Sequence, residues 1–401
     1  MSKSSVALDN LRAFVILIVL AFHSVLAYLQ FLPDAPYRFA EPPYKWRAFA
    51  VIDPARFIGF DLFCAYQDVY LMSLMFFLSG LFVWSSLGRK GSWGFLSERF
   101  VRLGLPFLLA LMLLMPMTLY PTYRLTATDP TLAAYWREFM ALPFWPSGPQ
   151  WFLWQLLSLN IIAAVLYRLW PRALQANGTL ASALSQHPVK FYLVLVSASA
   201  IAYVPLALVF TPWEWVQVGP FGLQRSRPLH YTVYFLTGVA IGTAGLERGL
   251  LSSTGALAHR WRAWFVASLV TFGIWIALTA QTMDTAAAVP LVLRIAADLS
   301  LTFACAAACF SALSFFLRFA TTRYRAAESL SDNAYGMYLV HYVFVVWMQY
   351  ALIPVPLGAV AKAAIVFVVT LVLSWGATAA IRCIPLGSRL VGERRAVAKA
   401  S

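Results

Sequence analysis

Acidic residues are scarce in this chain: of 401 residues only 16 are Asp or Glu, against 30 Lys or Arg, and charged residues of both signs make up 11%. A water-soluble domain carries roughly a quarter charged residues, so a soluble globular fold is excluded and an integral membrane protein is expected. Cysteine is sparse too. The four present, Cys64, Cys305, Cys309 and Cys383, have neither disulfide nor zinc spacing. Cys305 and Cys309, four apart in an apolar stretch, read as small packing residues, and no metal site is expected. The net charge of +14 comes without a basic run, finger or stacking motif, which argues against nucleic acid as a partner. No A-x-A cleavage site follows the first apolar run, so that run is expected to remain as the first membrane span. No repeat halves the chain as in many transporters, and no soluble domain is expected at either end.

What the chain has instead is long apolar runs, 61% hydrophobic residues, and the Trp and Tyr that belt a membrane interface. Ten runs read as spans, at about 10–31, 68–87, 100–120, 151–170, 191–210, 230–246, 262–280, 290–317, 332–351 and 359–381; the sixth is short for a full crossing. The expected fold is therefore all-α: a polytopic integral membrane protein with about ten transmembrane helices around a polar cavity. With the N-terminus placed in the cytoplasm, the inside segments hold twice as many Lys and Arg residues as the outside ones. The positive-inside rule then puts both termini in the cytoplasm, in keeping with a bacterial inner membrane. A C-terminal reporter fusion should be active only inside; activity only outside would overturn this topology. Three outside segments, 32–67, 121–150 and 211–229, are long and rich in Pro and aromatics, as expected of the mouth of a cavity. One membrane domain, 1–385, is followed by a basic cytoplasmic tail, 386–401.

Ionisable residues inside a span are costly and are functional candidates by default. The stretch Leu8–Tyr28 carries Asp9, Arg12 and His23. Arg12 and His23, eleven residues apart, share one helix face at ~16 Å separation, and Asp9, one turn before Arg12, can pair with it. His23 is a suitable general base, because a neutral imidazole can take a proton from an attacking hydroxyl. Ser79-Gly80 makes a small step where a helix or the acyl end of a substrate can approach, with Asp61 and Asp68 at the start of the same region. At the cytoplasmic start of the third span, Arg89, Lys90, Arg99 and Arg102 supply cations suited to phosphates, although positive-inside anchoring also predicts them. Pro149-Gln150-Trp151-Phe152-Leu153 opens the fourth span with belt aromatics. Arg294 and Asp298, four apart, are expected to pair. Ser331 reads as a helix N-cap, after which Tyr335, Tyr338 and His341 form a polar stripe, either lining the cavity or hydrogen-bonding between helices.

Taken together, Leu8-Asp9-x-Leu11-Arg12 with Arg12-x10-His23, Phe76-Phe77-Leu78-Ser79-Gly80, Arg99-x-x-Arg102-Leu103-x-x-Pro106 and Tyr335-x-x-Tyr338-Leu339-x-His341 resemble the acyltransferase-3 family of membrane acyltransferases. Trp151-Phe152-Leu153 is similar to the glucans biosynthesis protein C branch, whose members resemble succinyl transferases. Leu71-Met72-Ser73 lacks the His or Pro of related branches, and Gln150 stands where other residues are frequent. The resemblance implies transfer of an acyl group, acetyl or succinyl, from cytoplasmic acyl-CoA to a hydroxyl of an extracytoplasmic sugar or glycan. It also implies that His23 is catalytic with Arg12 its partner, and that Arg99 and Arg102 bind coenzyme A phosphates. Acyl-CoA is then a co-substrate, and no permanently bound cofactor is expected. Ser79, Tyr335, Tyr338 or His341 would stabilise the oxyanion, with Asp9 beside the cavity. The competing class is a flippase or transporter of a lipid-linked glycan, which would not bind coenzyme A. The sequence does not fix the oligomeric state.

Overall fold

The computed structural model describes residues 2–283 and 289–391. Helices follow the apolar runs: α1 Lys3–Val25, α2 Ile58–Gly80, α3 Val83–Arg99, α4 Leu105–Leu109, α5 Met115–Arg124, α6 Leu132–Ala141, α7 Trp151–Leu169, α8 Pro171–Ser185, α9 Pro188–Phe210, α10 Pro228–Ala244, α11 Ala256–His259, α12 Trp261–Met283, α13 Leu291–Phe319, α14 Arg325–Leu352, α15 Ala359–Arg382 and α16 Pro385–Val391. Among the described residues the only strands, β1 Trp215–Val218 and β2 Phe221–Gln224, form one antiparallel hairpin. A chain this apolar satisfies its backbone within each segment, as a helix does, because lipid offers no hydrogen-bond partner. The fold is all-α and polytopic.

Eight helical segments among the described residues are long and apolar enough to cross a membrane, fewer than the ten runs read from sequence. The other two runs are helical as well. The sixth run corresponds to α10, which has only 17 residues. The ninth corresponds to α14, with 28 residues, whose apolar pattern is broken by Tyr338, His341 and Gln349, all buried inside the bundle. The third span starts earlier than expected. It runs over Val83–Arg124, 42 residues, through a kink at Gly91 (φ 65°) and two π-helical turns, Phe100–Gly104 and Ala110–Leu114. Ser331 is not an N-cap: α14 begins at Arg325, so Ser331 lies inside it. Of the expected basic tail, the first part is α16, packed on α15, while 392–401 lie outside the described residues.

Helix α1 sits among α2, α13, α14 and α15. The step at Ser79-Gly80 serves a close helix crossing. A Cβ on Gly80 would fall 2.2 Å from the Phe235 carbonyl oxygen, and one on Gly238 2.2 Å from that of Phe77, so α2 and α10 touch backbone to backbone. Arg294 does not pair with Asp298. It donates instead to the Leu208 carbonyl at 2.8 Å, in the last turn of α9, where the ordinary helical donor would come from Pro212, which has no N–H.

The loops at the end of the bundle where α1 terminates are stitched together. Trp46 stacks on Phe39 at 4.8 Å and donates to its carbonyl. Arg47 reaches Gln217 on β1 at 3.2 Å, and the Trp145 N–H bonds the Gly219 carbonyl in the hairpin turn at 3.1 Å. Beneath them Lys362, at the start of α15, holds both carboxylate oxygens of Asp53 at 3.0 and 2.7 Å. Both residues are buried, 2% and 0% exposed.

Candidate functional site

The residues predicted as a site fall into three groups. The first surrounds His23. On α1 its Nδ1 lies 2.8 Å from the Val19 carbonyl, and on α14 the Nδ1 of His341 lies 2.7 Å from the Tyr338 carbonyl. A carbonyl oxygen only accepts, so in both rings Nδ1 carries the proton. His341 Nε2 is then a bare lone pair, 3.3 Å from His23 Nδ1, and shares that proton with Val19. His23 Nε2 makes no hydrogen bond among the described residues. It is the one lone pair of the two rings left open, and the His23 ring is only half-buried while His341 is fully enclosed. Gln349, two turns further along α14, donates to the carbonyls of His23 and Ser24 at 2.9 and 3.2 Å. Tyr342 packs edge-on against the His23 ring at 5.3 Å. The arrangement orients an imidazole with its basic nitrogen outward, as a general base requires.

The second group is Arg12 and its neighbours. Its guanidinium donates to the Leu78 carbonyl at 3.2 Å in the last turn of α2, lies 4.1 Å over the Phe82 ring, and sits 3.8 Å from Asp9. A cation at a helix C-terminus meets carbonyls that have no helical donor. Arg12 therefore ties α1 to the end of α2, about three turns from His23 on the same helix.

The third group is the basic face around the first π-helical turn. Glu98 binds Lys90 and, at 3.5 Å, Arg102. Arg99 stacks 5.0 Å over Phe95 and, among the described residues, its buried Nε has no hydrogen-bond partner.

The hydroxyls expected to serve an oxyanion already have acceptors: Ser79 donates to Met75 at 2.8 Å, Tyr338 to Pro149 at 2.5 Å, and Tyr335 to the Arg102 carbonyl. Gln150 faces the same region, its amide donating to Leu339 at 3.0 Å. Asp61 accepts from the Gln30 N–H, and Asp68 pairs with the buried Arg227 at 2.5 Å, so both hold the fold.

Sequence reasoning missed a second polar knot. His230 on α10 is buried and reaches Ser199 on α9 at 2.7 Å, Ser73 on α2 at 3.1 Å and the Cys305 thiol on α13 at 3.6 Å. The available signal was a histidine in a short apolar run with small polar residues in other spans; no spacing links them. No group of three or more metal-ligating side chains occurs among the described residues.

Compared with known proteins, residues 5–379 match a family model described as an acyltransferase domain, Acyl_transf_3. No curated protein matches the chain, and no solved structure does.

Proposed function

Because the chain belongs to the acyltransferase-3 family and is a membrane acyltransferase, we propose that it moves an acetyl or succinyl group from cytoplasmic acyl-CoA to a hydroxyl of an extracytoplasmic sugar or glycan, in a bacterial inner membrane with both termini inside. The observation that carries this reading is the open Nε2 of His23, set by the two Nδ1–H bonds to carbonyls. His23 Nε2 takes the proton of the acceptor hydroxyl as its oxygen attacks the thioester carbonyl. The C–S bond breaks, and the departing thiolate takes the proton back from the imidazolium. His341 Nε2 accepts the His23 Nδ1–H throughout, which orients the ring and stabilises its cationic form. Arg99 and Arg102 hold the coenzyme A phosphates at the cytoplasmic side; their place with Lys90 on the basic face around the first π-helical turn supports this. Arg12 steadies α1 between the two ends.

The test is donor binding. Isothermal titration of the detergent-purified protein with acetyl- and succinyl-CoA is expected to show Arg99→Ala/Arg102→Ala binding at least about tenfold more weakly, since each charge-assisted hydrogen bond is worth roughly 1.5–3 kcal/mol. Unchanged affinity in the folded variant would remove the two arginines from the donor site. No binding by the wild type would remove acyl-CoA as donor.

A further inference from the structure

Three prolines interrupt the third span. Proline has no N–H, so the carbonyl four residues before it loses its ordinary helical partner. For Pro121 that carbonyl belongs to Met117. Pro106 and Pro116 each follow a π-helical turn in which the hydrogen bonds reach back five residues, as Leu105 N–H does to Phe100 and Met115 N–H to Ala110. Reaching back five residues or four, the N–H that Pro106 lacks would have served Val101 or Arg102, and the one that Pro116 lacks Leu111 or Met112.

At each proline one of these carbonyls is met from elsewhere. Tyr335 Oη donates to Arg102, Trp145 Nε1 to Leu111 at 2.9 Å, and Trp347 Nε1 to Met117 at 2.9 Å. Two of the three donors are on α14. They stand twelve residues apart, about 18 Å along the axis, and His341 lies midway between them. Six residues from either peg is about 600° of helical rotation, so His341 points to a different face, the one toward α1. Apolar contacts between membrane helices fix height and rotation poorly, since lipid is as apolar as the neighbouring helix. Directional bonds at two heights fix both.

We propose that Tyr335 and Trp347 are positioning residues, which peg α14 to the proline-broken span and thereby set His341 Nε2 against His23 Nδ1. The proposal rests on the reading of His23 as general base. It gives Pro106 and Pro121 a purpose: they expose the carbonyls on which α14 is registered.

The test reads His23 directly and needs no acceptor. Diethylpyrocarbonate acylates a neutral imidazole, and peptide mass spectrometry of the purified full chain gives the rate at His23, with exposed His259 as internal control. His341→Gln is expected to slow acylation of His23 about fivefold, the worth of one hydrogen bond. Tyr335→Phe and Trp347→Phe, which keep their rings, should each slow it by a comparable factor and add nothing further in the His341→Gln background. Trp347→Phe alone carries the test should Tyr335→Phe not fold. Wild-type rates in the Phe variants, or slowing that multiplies with His341→Gln, would overturn the proposal. Slowed acylation in a protein without acyl transfer would sink the proposed function and leave the pegs standing.

Discussion

His23→Gln is expected to lower acyl transfer by about 10³-fold while leaving the dissociation constant for acetyl-CoA within about twofold of wild type. The size follows from removing the group that accepts the proton. Donor binding is expected to be spared because the proposed donor site at Arg99 and Arg102 shares no hydrogen bond with His23 among the described residues; the Arg102 carbonyl is bonded by Tyr335, six residues before His341 on α14. His341→Gln keeps the base but removes the acceptor of its Nδ1–H, so a loss of about tenfold is expected, smaller because Val19 still holds the tautomer. The measurement is release of coenzyme A thiol from acetyl- or succinyl-CoA with a panel of sugar acceptors. Normal turnover by purified His23→Gln would end the assignment, and equal losses in the two variants would show the histidines acting as one unit rather than as base and orienter.

The largest effect on stability is expected at Lys362. Replacing it by Met leaves the Asp53 carboxylate fully buried without its cation, a loss of about 3–5 kcal/mol. Asp53 also accepts the Ala55 N–H at 2.8 Å, and the segment it anchors bonds the Ala27 carbonyl just beyond α1. The damage should therefore spread to the stitched loops. Asp53→Leu/Lys362→Met removes both charges and should recover most of the loss, because no buried charge is then left unpaired. Unfolding in micelles measures this; a double variant no more stable than Lys362→Met would show that the loss is of packing, not of charge pairing.

How much of this was legible in the sequence depends on the distance over which each signal acts. Asp9 and Arg12 share one turn, so helical spacing alone placed them together, and the structure has them 3.8 Å apart. His23 and His341 each stood out as a histidine in an apolar run, but 318 residues separate them and no periodicity joins them. Their pairing appears only when α14 docks on α1. Lys362 has no signal of its own in the sequence, since a buried ion pair and a rim charge look alike until the partner, here Asp53, is known. Arg294 was misread because i,i+4 spacing makes Asp298 its nearest acceptor on the helix, whereas a carbonyl left bare by Pro212 in another helix won. The eight spans of sufficient length and apolarity were visible as runs. The polar residues of α14 weakened its own apolar signal for the same reason that they matter: they face inward.

The His230 knot has a consequence for the order in which the chain assembles. A histidine in an apolar helix of 17 residues is a poor guest in lipid until its hydrogen bonds are made. Ser73 and Ser199 precede it and are already synthesised when α10 emerges. Cys305 follows 75 residues later, beyond α12. A nascent chain that has just delivered α10 therefore holds an incomplete knot through the synthesis of two more spans, and only the arrival of α13 lets α2, α9 and α10 lock around a common centre.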